Sequence, residues 1–593
     1  MRIAIISRTL FILLFVGLAA CQDKSADLIV VNGRVAAGAG DDFVSAFAVK
    51  DGRFLVVGER EAVMATRGAD TEVIDAGGRT VIPGLNDSHS HVIRGGLNYA
   101  LEIRWDGVTS LKAGLAMLKE QAARTPEGSW VKVVGGFGEF QFEERRLPTL
   151  AEINAAVPDR PCIVAFLYTS AFVNQKGIEA LGYDAETSFP GGVVELDGQG
   201  KPTGMLIARP GAAIIYFTLV ETGKLSPENQ ELSTRHFVRQ LNRLGMTSAI
   251  DAGGGGQFFP DNYAAMKRLA EKRQLHLRVG YYIFNSHRPG MELREWKKYL
   301  GMVKPGDNYD MFRPNGYIMC GAGENIVWSA GDFENFKEPR PDLAGHMEGE
   351  LTQAITMFAR KRWPFRIHAT YDESIQRMLS VLEDVNAKHP FASERWLFDH
   401  AETVSEESLK RIKALGGGVA IQNRMLFQGE YFVKRYGATK AADAPPIRKM
   451  LDMGIPVGLG TDGTRVSSYN PWLALYWVVS GKTWGGLKHL ADANRLSRRE
   501  ALRMMTHGSA WFSGEQDQKG MIAPGLLADF VILRDDFFSI PEEQIKDLEA
   551  VLTVVGGRVV YGADDFADRD PELPAIQPEW SPVKFYGGYA GKL

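Results

Sequence analysis

Through the long middle of the chain, short apolar runs that end in polar or glycine residues alternate with helical patterns, and this alternation constrains the fold more than any other feature. Thr247-Ser248-Ala249-Ile250-Asp251, Phe365-Arg366-Ile367-His368 and Ile455-Pro456-Val457-Gly458-Leu459-Gly460-Thr461-Asp462 are such runs. Strands that are apolar throughout and separated by helices are covered on both faces, which predicts parallel sheet. In a closed β/α barrel the chemistry gathers where the strands end. Polar residues at those ends are the first candidates for a site, and His368 and Asp462 both qualify.

The ends of the chain have a different rhythm. At 593 residues it exceeds one ordinary domain. Residues 27–35 and 47–53 read as strands and turns of short hairpins, and residues 525–533 and 551–561 repeat that β character. The expectation is a small β-sandwich domain built from both termini, 21–80 with 520–565, around a barrel at 81–519. The less regular stretch at about 101–211 reads as an inserted α+β module, and residues 566–593 as a tail laid over the surface.

At the extreme N-terminus, Arg2 and Arg8 precede an apolar run from Leu10 to Ala20 that is too short for a comfortable membrane span. It reads as an export signal over 1–20. Leu18-Ala19-Ala20-Cys21 looks like the lipobox of bacterial lipoproteins, which makes Cys21 the lipidated first residue of a periplasmic, membrane-anchored protein. An ordinary cleaved signal is the alternative. The other two cysteines, Cys162 and Cys320, make no disulfide framework. A net charge of -4, with no Lys/Arg run interleaved with aromatics, argues against nucleic acid and leaves a small-molecule substrate as the expected partner.

The strongest motif is Val81-Ile82-Pro83-Gly84-Leu85-Asn86-Asp87-Ser88-His89-Ser90-His91, an apolar strand running into two histidines. Positions two apart on a strand face the same side. His89 and His91 can therefore reach one metal ion, and neutral imidazole is a ligand for zinc and its neighbours. Two exposed loop histidines are the alternative reading.

Pro83-Gly84 before the pair and Asp87 just ahead of it make this segment resemble the first-strand motif of the amidohydrolase superfamily. From about Asp27 to Tyr561 the chain resembles the amidohydrolase family 3 branch, and is similar to metal-dependent hydrolases related to N-substituted formamide deformylase. Gly525-Leu526-Leu527-Ala528-Asp529 and Gly556-Gly557-Arg558-Val559-Val560 look like the closing signature of that family. The resemblance implies an α/β fold, a (β/α)8 TIM-like barrel. It also implies hydrolysis of a C–N bond, in a non-peptide amide, by water activated on a divalent metal such as zinc, with one or two ions. Ile367-His368-Ala369-Thr370-Tyr371-Asp372 makes His368 a third metal ligand, and Phe398-Asp399-His400-Ala401 makes His400 a fourth, with Asp399 where the family has Glu. Gly458-Leu459-Gly460-Thr461-Asp462-Gly463 makes Asp462 the general base.

Two departures matter. Many relatives carry a carboxylated Lys that bridges two metals, but the matching stretch, residues 315–324, holds no Lys; Cys320 or Glu324 is the candidate substitute. Where relatives often carry a His that frames the substrate, this chain has Tyr168-Thr169-Ser170. Arg465, Tyr371, Gln422 and Asn423 follow candidate strand ends, where substrate binding competes with surface hydrogen bonding. Trp130, Phe137, Phe140 and Phe142 suit either an aromatic substrate or a packed core. Deamination, cyclic amide or ester hydrolysis, and a non-catalytic binding or regulatory role stay open as alternative functions.

Overall fold

The computed structural model describes residues 25–589 except 39, 41, 190, 210, 285–296, 300, 304–310, 312–320, 323–325 and 392–393. The expected signal, Cys21, Cys320 and Glu324 lie outside the described residues. Eight strands form one parallel sheet in chain order. They are β1 (Leu85–Ser90), β2 (Met246–Asp251), β3 (Arg278–Ile283), β4 (Gly321–Ala322), β5 (Phe365–Ala369), β6 (Trp396–His400), β7 (Gly418–Gln422) and β8 (Val457–Gly460). Every residue of β2, β3, β6, β7 and β8 is buried, as befits strands covered on both faces. Helices supply the cover: Met347–Lys361 turns Leu351, Ile355 and Phe358 inward, and Asp372–Lys388 turns in Ile375, Leu379 and Leu382. This is a TIM-barrel-like α/β fold.

Hydrogen-bonded ladders join each successive pair of strands, but among the described residues none joins β8 back to β1, so the expected closed barrel is a barrel-like sheet with a seam. A side chain closes that seam. Asp87 of β1 accepts from the Thr461 N–H at 3.0 Å, a donor that a ladder would use, and from the Thr461 hydroxyl at 2.5 Å. Just past the strands, the Asp462 N–H donates to the His89 carbonyl and the His91 N–H to the Gly463 carbonyl, both at 2.8 Å. The approach is close enough that a Cβ on Gly460 would stand 2.7 Å from the His89 nitrogen, and one on Gly458 would stand 2.8 Å from the Ser88 Cβ. Glycine at both places lets the two edges meet.

Strands from both termini share a six-stranded sheet in the order Arg558–Gly562, Ala550–Val555, Phe530–Leu533, Thr80–Pro83, Arg34–Ala36, Phe43–Val44. A four-stranded sheet from the N-terminal segment lies against it, with Phe47 meeting Phe530 edge-on at 4.8 Å. Thr80–Pro83 leads through Gly84 directly into β1, so the shared sheet anchors the strand that carries the histidine pair. Residues 131–208 form a separate five-stranded sheet. Phe137 and Phe142 are buried against Trp105, at 5.0 and 6.0 Å between ring centroids, and Phe140 lies against Tyr431. Trp130 packs in the core of the five-stranded sheet. None of the four lines the main cavity, so core packing accounts for these aromatics. No helix among the described residues is long and apolar enough to cross a membrane.

Candidate metal centre

His89 is the penultimate residue of β1, and His91 follows the strand as the residue before helix Val92–Asn98. Both are buried, with ring centroids 5.2 Å apart and planes nearly perpendicular. Asp462, just beyond β8, faces them: its Oδ1 lies 2.9 Å from His91 Nε2 and 3.5 Å from His89 Nε2. Burial alone would raise the Asp462 carboxyl, but His89, His91 and Arg424 outweigh it and hold the group well below the usual carboxylate range. The other ring nitrogen of His89, Nδ1, is 2.7 Å from Asp399 Oδ1. Asp399 is in turn gripped by Arg366, whose Nε donates to Oδ2 at 2.7 Å. A carboxylate on the far nitrogen of a ligand histidine fixes its tautomer and ring orientation. Asp399 therefore orients His89 across the barrel rather than its own neighbour His400.

His400 ends β6, with its ring 5.0 Å from that of His89. One ligand atom each from His89, His400 and Asp462 fall within 4.8 Å of one another. Among the described residues these form the group able to hold a metal ion, and His91 joins through Asp462. His400 and Asp462 have φ of 76° and 54°, left-handed conformations that cost a non-glycine residue about 1–3 kcal/mol. Strain at both positions aims their side chains into the mouth of the barrel.

His368, expected as a metal ligand, stands on the wall of the cavity that opens over this cluster. It lies beside His400, ring centroids 4.3 Å apart, but its Nε2 is turned to Glu334 at 3.0 Å and to Asp332 at 3.4 Å. Asp332 also accepts the Thr370 and Tyr371 N–H groups at 2.9 Å each, which fixes the turn that follows His368. Arg424 pairs with Glu334, reaches Asp462 Oδ2 at 2.5 Å and stands 3.4 Å from Glu402. Glu402 is fully buried, and burial pushes its carboxyl up to about 7 against the counter-pull of His400 and His368. On the other side, burial pushes Asp87 up to about 6 although Thr461 and the His89 N–H oppose it.

Sequence reasoning missed Asp332, Glu334, Glu402, Arg366 and Arg424. Glu402 and Arg424 directly follow segments already singled out. Asp332 and Glu334 belong to a loop with no periodic pattern, and no signal there pointed to the site. Tyr371, Gln422, Asn423 and Arg465 are buried, which removes the surface reading for all four. A cavity of about 300 Å³ opens over the cluster, lined by His91, His368, His400, Arg424 and Asp462 on one side and by Tyr168, Tyr216, Trp328, Phe333 and Val466 on the other.

The chain is 27% identical to Protein LONG AFTER FAR-RED 3 of Arabidopsis thaliana over 90% of this chain and 92% of that one. It is 24% identical to the N-substituted formamide deformylase of Arthrobacter pascens over 90% and 98%. In structure it is similar to an uncharacterized metal-dependent hydrolase from Pyrococcus horikoshii OT3, with a TM-score of 0.62 at 19% identity over 87% of this chain and 99% of that one. Residues 72–561 match the model of the amidohydrolase family, and with that span and this site the chain belongs to the amidohydrolase family.

Proposed function

We propose that the chain hydrolyses the C–N bond of a non-peptide amide, using one divalent ion, zinc by preference, held by His89, His91 and His400, with Asp462 as proton acceptor. The observation that carries this reading is the convergence of His89, His400 and Asp462 within 4.8 Å under a cavity at the ends of parallel strands. Imidazole nitrogens and a carboxylate are donors that suit zinc, so the residues present fit such an ion. When bound, it supplies Lewis acidity that polarises a carbonyl and acidifies water.

The protein's own groups do the rest. Asp399 and Arg366 hold His89 with Nε2 turned inward. Asp462, kept ionised by its cationic neighbours, takes a proton from the attacking water and delivers it to the departing nitrogen. His368 lines the same cavity beside His400. Arg424, placed among Glu334, Glu402 and Asp462, already puts a positive charge in the acidic half of the site, which favours one ion over two. The formamide-directed activity named for the Arthrobacter relative favours an amide over an ester or a ring. We also propose that the protein is exported and anchored through a lipid on Cys21; mass spectrometry of the mature N-terminus tests this, and an unmodified start elsewhere rejects it.

Elemental analysis of the purified protein, with turnover on an amide, lactam and ester panel, tests the main reading. The expected result is one equivalent of zinc, lost when His89 and His91 are both changed to Ala, and preference for the amides. No bound metal after metal-supplemented expression rejects the hydrolase reading, and two equivalents reject the single ion.

A further inference from the structure

One cation in the cavity wall has no task in the chemistry above. Arg94 lies on helix Val92–Asn98 and is 4% exposed. Its Nη1 donates to the Gly255 carbonyl at 3.1 Å, and its guanidinium carbon stands 5.6 Å from the centroid of the Tyr168 ring. Its Nε is buried with no hydrogen-bond partner, and no carboxylate among the described residues forms an ion pair with it. Taking a guanidinium out of water without an anion is costly. Among the described residues nothing supplies the anion that this guanidinium lacks.

Neighbouring groups reinforce this. Arg465, also buried, extends Nη1 towards the Tyr168 hydroxyl at 3.4 Å, so one tyrosine touches two guanidinium groups. Glu102, the acid that acts on Arg465, is already held by Arg104 at 3.1 Å. The backbone beside Arg94 is a run of four glycines, Gly253–Gly256. A Cβ on Gly254 would come within 2.4 Å of Arg94 Nη1 and 2.8 Å of the His91 ring, and one on Gly255 within 2.4 Å of Tyr216. Bare backbone thus packs the guanidinium directly beside a ligand imidazole, and Arg94, Tyr168, Tyr216 and His91 face one cavity.

We propose that Arg94 binds a carboxylate of the substrate, so that the site takes an amide whose amine part carries a carboxylate next to an apolar group. This rests on the amide-hydrolase reading. The planar fork of arginine matches a carboxylate, and Trp328, Phe333, Leu343 and Val466 supply the apolar wall.

N-formylphenylalanine, as both enantiomers, and N-formylphenethylamine differ by the carboxylate alone and make the test. With the holoenzyme, binding is measured by calorimetry and turnover by release of formate. At the usual strength of a hydrogen bond to a charged group, the charged compound is expected to bind about 10- to 100-fold tighter than the neutral one. Arg94→Gln should weaken binding of the charged compound about 10- to 100-fold more than binding of the neutral one, and Arg94→Lys should restore part of the margin. Equal binding of the two compounds by the unaltered protein, no binding of the charged one, or equal loss for both in Arg94→Gln overturns the proposal. The first comparison needs no variant, so it remains decisive even if Arg94→Gln fails to fold. Discrimination in binding with turnover of neither compound supports the carboxylate site and removes the hydrolase reading instead.

Discussion

The two halves of the metal centre are built on opposite plans. On the β1 side each acid has a defined set of donors: Asp399 is shared by His89 and Arg366, and Asp87 by Thr461 and the His89 N–H. On the β5–β6 side three acids, Asp332, Glu334 and Glu402, crowd two histidines and one arginine, and both Glu402 oxygens are buried without a hydrogen bond. The difference teaches a division of labour. The first half positions its ligands through hydrogen bonds that require no ion. The second carries stored electrostatic tension that a ligand or a proton relieves.

The largest effect expected on this comparison falls where the halves meet. Asp462 contacts His91 on one side and Arg424 on the other, so Asp462→Asn should lower kcat by roughly a thousandfold. Retention of more than a tenth of the activity removes its role as proton acceptor.

Glu402→Gln comes next and probes the tense half alone. Its folded pKa of about 7 lies above the ordinary 4.5, so the folded protein binds the extra proton. That favourable contribution is complete below pH 4.5 and is lost as pH rises through 7. In metal-free protein, Glu402→Gln should therefore be more stable than the parent at pH 8 by about 3 kcal/mol and indistinguishable at pH 4. Denaturant unfolding at both pH values decides it, and parallel pH curves break the contrast between the halves.

Asp399→Asn tests the ordered half. Loss of a carboxylate behind a ligand histidine should weaken metal binding about 10- to 100-fold, read by competition with a chelator. Glu334→Gln, on the other side, should change it less than about threefold on the same scale. Equal losses mean that Glu334 ligates the ion and that the halves are alike. The smallest effect belongs to the seam: Thr461→Val removes one hydroxyl donor to Asp87 and should cost about 1.5 kcal/mol of stability with little change in metal content.

Much of the ordered half is legible in the sequence, because strand geometry and the position of a strand end are local properties. His89, His91 and Asp462 each close an apolar run, as His400 does in the other half, and a period of two or a run of buried residues is visible without knowing the partner. The rest of the tense half is not legible, because its members are defined by neighbours rather than by pattern. His368 lies one residue before the end of its strand, yet its ring nitrogen meets Glu334, an acid in a loop without periodicity. Asp399 stands next to His400 in the chain but serves His89, 310 residues away. Sequence spacing cannot reveal which of two nearby imidazoles a carboxylate faces. The open ladder at the seam is hidden for the same reason: Asp87 and Gly460 each look ordinary until the two edges are brought together.

That seam bears on how the protein comes into being. Asp87 and Thr461 are 374 residues apart, and contacts so distant in the chain are among the last that folding can make. During synthesis, which proceeds from the N-terminus, His89 and His91 emerge early and must wait while almost the whole barrel is made before Asp462 reaches them. A polypeptide released short of residue 461 thus carries the three histidines but neither Asp462 nor the Thr461 tie to Asp87, and turnover becomes a report that translation ran past the last strand of the barrel.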